Sequence, residues 1–246
     1  AAAGQRTAAF DILEETTRFF ETSLRADEGR NAAHYIKQRG LDAATVKNFR
    51  IGYAPRSGLY AVLTGKGFSK DDMILAGVLG KSDRDGSLYD YFRDRVIFPI
   101  ENRKGKVIAF GARALGDAQP KYLNSVDSPT FSKKAVLYGW VQAREAIRRK
   151  LPLVVVEGYM DVIAVQRSGI AAAVAPLGTA LTPEQITLLW KLHDEPILCF
   201  DGDAAGRRAQ IRALERILPQ LEPGRSVRLA MLPAGKDPDD ILREHG

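Results

Sequence analysis

The sequence predicts an α/β fold in two parts: a mixed α+β region over residues 1–150, then a mainly parallel sheet flanked by helices over residues 151–246. Three observations predict it. Apolar residues in the first fifty positions recur at helical spacing. Between Val78 and Tyr138, short β-prone runs surround turn residues. After Lys150, strand-sized apolar runs alternate with helix-length segments, the pattern of a parallel sheet with crossover helices.

Phe10, Leu13, Thr17, Phe20 and Leu24 stand three or four residues apart and place one apolar stripe on a first helix. A second helix is expected over Arg30 to Arg39, stopped by Gly40, and a short third over Ala43 to Phe49. Gly, Pro and Ser between Gly52 and Gly58 predict a loop, followed by two short helices ending near Gly77. The runs Arg95 to Ile100 and Lys106 to Phe110 flank Asn102-Arg103-Lys104-Gly105, a hairpin turn, and Asp83-Arg84-Asp85-Gly86 reads as another. This middle section should form a small, largely antiparallel sheet.

Strands are expected at Leu153 to Val156, Ile170 to Ala175, Ile197 to Phe200 and Ser226 to Leu232. Helices are expected over Met160 to Arg167, Pro183 to Leu192 with Thr182 as N-cap, and Ala204 to Leu218. No internal repeat or low-complexity tract is present.

Composition narrows the function classes. The 246 residues are 45% hydrophobic and 27% charged, ordinary for a globular chain able to bury a core. No apolar run approaches the ~20 residues of a membrane span, so no membrane association is expected. One cysteine, Cys199, excludes an internal disulfide framework and a cysteine zinc site, and points to a reducing cytosol. Its position in an apolar run makes it a small buried hydrophobe. The opening Ala1-Ala2-Ala3-Gly4-Gln5-Arg6 has neither initiator methionine nor signal core and reads as the start of an excised piece.

The net charge of +6 divides unevenly. Residues 1–150 hold 26 Lys+Arg against 17 Asp+Glu, and residues 151–246 hold 10 against 13. Such a split suits a nucleic-acid enzyme that grips phosphate with one part and metal with the other. Chance clustering of solvated charge is the alternative reading.

Functional groups on open parallel sheets gather beyond the C-terminal strand ends. Three acidic clusters fall there: Glu157-Gly158-Tyr159-Met160-Asp161, Asp201-Gly202-Asp203, and Asp237-Pro238-Asp239-Asp240. One such acid alone is more often a helix cap. Acids at three strand ends repel one another unless cations sit among them, and oxygen-only ligation favours Mg²⁺ or Mn²⁺. Two such ions about 4 Å apart can activate a hydroxyl and stabilise a leaving oxygen in phosphoryl transfer. Asp203 can cap the following helix and also meet metal.

With these residues in view, the chain resembles the bacterial DNA primase (DnaG) family, specifically its RNA-polymerase core with a Toprim fold. The matching motifs run in family order. They are Tyr35-Ile36-Lys37-Gln38-Arg39-Gly40, Phe49 to Pro55, Arg93 to Ile100, Ala109-Phe110-Gly111-Ala112-Arg113, Pro120 to Ser125 and Leu137-Tyr138-Gly139. The three acidic clusters and Pro176-Leu177-Gly178-Thr179-Ala180 complete the set. Ala112 replaces a glycine usual in the family.

The resemblance implies a Toprim (Rossmann-like) second part and assigns Glu157 as catalytic acid/base carboxylate or as a ligand alone. It makes Asp201 and Asp203 catalytic metal ligands, with Asp161, Asp237 and Asp239 completing the pocket. It places Arg113, Lys121, Asn124 and Lys133, with Lys134 beside it, against template or nucleotide phosphates. Tyr122 is open to two readings, base stacking or packing. The expected cofactor is Mg²⁺ or Mn²⁺. Zinc is expected only in an N-terminal domain outside this chain. The expected partners are single-stranded DNA, ribonucleoside triphosphates, an RNA–DNA hybrid product, and the replicative helicase through a region absent from this chain. The resemblance implies a monomeric core in the bacterial cytoplasm, at the replication fork of the nucleoid. Two alternatives stand beside primer synthesis: another Toprim enzyme of the nuclease or topoisomerase kind, and a non-catalytic single-stranded-DNA-binding module of replication.

Overall fold

A computed structural model describes residues 2–178 and 180–245, with the backbone alone at 2–5 and 245. Thr179 of the Pro176–Ala180 motif, and Ala1 and Gly246 at the outer ends of the two expected parts, lie outside the described residues. The fold is mixed α/β, and the chain divides into two compact units, Ala1–Glu101 with Gly105–Ser132, and Asn102–Lys104 with Lys133–Gly246.

The first unit opens with α1 (Ala2–Arg25), α2 (Arg30–Gln38) and α3 (Ala43–Asn48), then β1 (Gly52–Ala54), α4 (Leu59–Gly65) and α5 (Lys70–Leu75). The hairpin β2 (Leu79–Lys81) and β3 (Leu88–Asp90) turns through the expected Asp83–Gly86 segment. β4 (Arg95–Glu101), β5 (Val107–Ala114) and β6 (Tyr122–Asn124) join β1 in an antiparallel sheet of order β1-β4-β5-β6. The apolar stripe of α1 is its buried face. Ile12, Leu13 and Phe20 are at most 1% exposed, and Phe20 meets Phe110 of β5 edge-to-face at 5.5 Å. Arg50, read only as part of a motif, ties α3 to α1 through Glu14 at 2.8 Å and Glu21 at 3.1 Å.

Residues 52–58 were expected to form a loop, but the first three form β1 on the edge of β4, pairing Gly52 with Ile97. The cause is tertiary. A Cβ at Gly52 would overlap the backbone and Cβ of Phe20, so glycine here lets the strand lie flat against α1. Local composition cannot show that.

The second unit begins with α6 (Trp140–Arg148), followed by β7 (Leu153–Val155), α7 (Tyr159–Ser168), β8 (Ala172–Val174), α8 (Pro183–Leu192), β9 (Ile197–Cys199), α9 (Ala204–Ile217), β10 (Arg228–Ala230) and α10 (Pro238–His245). The strands form a parallel sheet of order β10-β9-β7-β8. Its core gathers Leu137, Trp140, Val155, Val174, Leu198 and Phe200. Thr182 caps α8 as expected, its hydroxyl accepting the Gln185 N–H at 3.2 Å while Gln185 Oε1 accepts the Thr182 N–H at 3.1 Å. Cys199 is buried, and burial lifts its thiol to about 11.

α6 packs on β8, so residues 133–150 belong to the second unit. They carry six Lys or Arg and one acid. Counted by unit, Lys+Arg against Asp+Glu is 18 to 16 in the first and 18 to 14 in the second. The charge contrast at Lys150 is therefore a property of sequence order and not of the two bodies. Among the described residues no helix is long and apolar enough to cross a membrane.

Candidate active site

The acids of the second unit are placed by strand ends and helix starts. Glu157 follows β7, and its Oε1 accepts the Asp201 N–H at 3.0 Å. One bond therefore joins the ends of two neighbouring strands. Asp161 sits three residues into α7, 8% exposed, with Oδ2 accepting the Gly158 N–H at 3.2 Å. Asp203 is the N-cap of α9, its Oδ1 accepting from Gly206 at 2.7 Å. Asp237 does the same for α10, accepting the Asp240 N–H at 2.7 Å. Asp239 is 2% exposed, with Arg243 at 3.8 Å.

A backbone latch fixes the third cluster. Gly202 N–H donates to the Lys236 carbonyl at 2.8 Å, and Gly235 N–H donates to the Gly202 carbonyl at 3.4 Å. A Cβ at Gly202 would overlap the Pro233 carbonyl oxygen, so the loops after β9 and β10 approach this closely only through glycine.

Proximity among the acids shows in their protonation. Burial, then the charges of Asp237 and Asp201, push the Asp161 carboxyl up to about 7. Burial, then Glu157 and Asp237, push Asp201 up to about 6. Asp201 Oδ1 is buried with no hydrogen-bond partner among the described residues. Hard oxygen donors in mutual repulsion, one of them unsatisfied, fit a divalent cation. The donors are not gathered, however: among the described residues no three His, Cys, Asp or Glu side chains converge closely enough to hold an ion. Three of the six expected ligands, Asp161, Asp203 and Asp237, spend an oxygen on capping their own helices. A cavity of about 300 Å³ lies beside Glu157, lined also by Pro176, Leu181, Phe200 and Arg212.

The basic residues fall in both units. In the first, Arg113 on β5 stands opposite Tyr122 on β6. Its guanidinium covers the Tyr35 ring at 4.3 Å, Nη1 donates to the Ala114 carbonyl at 3.0 Å, and Nε is buried without a hydrogen-bond partner among the described residues. Arg39 Nε donates to the Tyr35 hydroxyl at 3.2 Å. Lys121 is exposed, Asn124 half-buried, and Tyr122 40% exposed. Neither Tyr35 nor Arg39 has a role of its own in the sequence, although their spacing of four sets them one turn apart at the end of α2, where Arg39 is the C-cap. Ala112 is fully buried between Ile97 and Leu123, where its methyl fits the sheet.

In the second unit, Lys133 is half-buried and Lys134 exposed, on a one-turn 3₁₀ segment. The cap of α8 holds that segment. Thr182 Oγ1 donates to the Lys134 carbonyl at 2.6 Å, and Gln185 Nε2 donates to the carbonyls of Lys133 at 3.0 Å and Val136 at 2.8 Å. Gln185 is fully buried, whereas its sequence context indicates only a helix residue.

Residues 19–144 match the family model described as DNA primase catalytic core, N-terminal domain, and residues 154–242 match one described as Toprim-like. A DNA primase of Pasteurella multocida is 45% identical over 240 residues, covering 96% of this chain and 40% of that protein. The chain thus spans about two fifths of the length of this curated relative. A crystal structure of a DNA primase domain from Pseudomonas aeruginosa superposes with TM-score 0.89 at 44% identity, covering 97% of this chain and 75% of that one. A structure described as the DnaG primase catalytic domain bound to ssDNA gives 0.89 at 41%, covering 99% and 77%.

Proposed function

The chain belongs to the DNA primase catalytic-core family, and from that premise we propose that it is a nucleotidyltransferase synthesising short RNA primers on single-stranded DNA. The observation that carries the proposal is the strand-end cluster: Glu157 bonded to the Asp201 amide, with Asp161 and Asp201 both held above the ordinary carboxylate range.

Asp201, Asp203 and Asp161, with Asp237 and Asp239, would hold Mg²⁺ or Mn²⁺. The ion would neutralise phosphate charge and ease loss of the leaving oxygen. To hold an ion, Asp161, Asp203 and Asp237 would share or leave their caps. Glu157 takes the proton of the attacking 3′-hydroxyl. The new bond joins that oxygen to the α-phosphorus of a ribonucleoside triphosphate, the α–β bond breaks, and pyrophosphate leaves. An RNA–DNA hybrid remains.

Arg113, Lys121, Asn124, Lys133 and Lys134 hold template or nucleotide phosphates, so affinity falls steeply with salt. Tyr122, 40% exposed, either packs within the hairpin or stacks on a base. In this division residues 1–150 bind template and nucleotide and residues 151–246 bind metal. The whole protein would act in the bacterial cytoplasm at the replication fork, with zinc-binding and helicase-docking parts outside these residues.

The deciding experiment is ribonucleotide incorporation on a single-stranded template with Mg²⁺ or Mn²⁺, using Asp201→Ala as control. Template-dependent RNA from the wild type and none from the variant is expected. Plasmid nicking without incorporation would replace this reading with a nuclease.

A further inference from the structure

Arg95 opens β4 and is buried, 7% exposed, yet no carboxylate lies within ion-pair distance of it among the described residues. Its neighbour Asp94 is turned elsewhere, accepting from the Tyr53 hydroxyl at 3.0 Å and pairing with Arg56 at 3.5 Å. Asp94 acts on this guanidinium only through its charge and without contact, and a buried, always-ionised group without a contact ion pair calls for other partners. The partner present is one backbone oxygen: Arg95 Nη1 donates to the Pro120 carbonyl at 2.7 Å.

Pro120 ends the loop from β5 to β6, and Lys121 follows it. The loop is closed on its other side by the Ala114 N–H donating to the Lys121 carbonyl at 2.9 Å. Two bonds thus fix the peptide on each side of Lys121, and β6 then carries Tyr122 and Asn124. Beyond Gly111–Arg113, which pair with Asn124, Leu123 and Tyr122, β6 has no strand on its outer edge among the described residues. A three-residue edge strand has little else to hold its start.

We propose that Arg95 is a positioning residue of the template site, holding the Pro120 carbonyl so that Lys121 and Asn124 present their side chains to a nucleic-acid backbone. This rests on the template reading of Lys121 given above. The arginine acts twice. Its hydrogen bond sets the hairpin, and its charge, offset only at a distance by Asp94, adds to the positive potential that the hairpin shows to phosphate. A neutral side chain of similar length would fill the space and supply neither effect.

The test compares wild type, Arg95→Met, Arg95→Lys and Lys121→Ala in the full chain. Anisotropy of fluorescein-labelled dT14 at several salt concentrations gives template affinity, primer synthesis gives template KM and kcat, and thermal denaturation monitors folding. Arg95→Met should raise Kd and template KM about tenfold with kcat unchanged. Arg95→Lys keeps the charge and loses the fork geometry; it should keep the wild-type salt slope while raising Kd about threefold. Wild-type Kd and KM in a folded Arg95→Met, with Lys121→Ala impaired, would overturn the proposal. If Arg95→Met does not fold, Arg95→Lys decides, and wild-type Kd in that variant overturns it. Wild-type binding by Lys121→Ala would instead refute the template reading, and the role of Arg95 would fall with it.

Discussion

Replacing Asp161 by asparagine should stabilise the protein at alkaline pH in the absence of divalent ions. Burial of this carboxyl, 8% exposed, and then the charges of Asp237 and Asp201 hold its pKa at about 7 against an ordinary 3.8. The folded protein therefore binds a proton that the unfolded chain has already released. The stability linked to this group is full below about pH 4 and is lost as pH rises through 7. The interval from 3.8 to about 7 amounts to a ceiling of ~4 kcal/mol, of which ~3 kcal/mol falls between pH 5 and 8. Outward relaxation of Asp201 and Asp237 reduces this, and ~2 kcal/mol, or about 4–8 °C in Tm, is the expected difference for a chain of this size.

The carboxamide of Asp161→Asn keeps an oxygen to accept the Gly158 N–H, so the helix start is preserved. The assay is thermal denaturation of wild type and Asp161→Asn in EDTA from pH 5 to 8. The gap should widen with pH, and Mg²⁺ should narrow it by stabilising the wild type. A gap that does not change with pH would show that Asp161 is not the strained proton site. A gap that Mg²⁺ leaves untouched would show that the cluster does not hold that ion.

Two further outcomes follow from the same geometry. Glu157→Gln keeps the oxygen that accepts the Asp201 amide, so folding and dT14 binding should match wild type while primer synthesis falls at least a hundredfold; unchanged synthesis would remove Glu157 from proton transfer. Gly202→Ala places a methyl on the Pro233 carbonyl and should destabilise by ~2 kcal/mol or more, seen as a lower urea midpoint; wild-type stability would mean that the loops after β9 and β10 are not latched.

The second unit was legible because its elements are punctuated locally. Thr182-Pro183 announces α8, and apolar runs ending in acids announce β7 and β9. The strand-end acids were readable for the same reason: their positions follow from where each strand must stop. β1 was hidden because three residues with glycine and no alternation gain their pairing only from β4 and their closeness only from Phe20. Which carboxylates share their charge was also hidden. Asp240 stood in the quoted cluster without a role, yet its charge helps raise Asp201, and its Oδ2 lies 3.4 Å from the Asp237 N–H. Such effects depend on how the loops after β9 and β10 approach, a matter of three dimensions and not of spacing. The same holds for Gln185, whose sequence context says helix and whose amide holds the lysine segment at two carbonyls.

The bond from the Asp201 amide to Glu157 gives the site a built-in spectroscopic probe. The proton is a backbone one, so it is present in every side-chain variant of Asp201 and can be followed by its nitrogen-15 correlation. Its shift depends on how strongly Glu157 Oε1 accepts. Anything that draws electron density from that oxygen, such as a proton or a cation, lengthens the bond and moves the resonance upfield. One amide signal can thus time events at Glu157 with no substrate turning over.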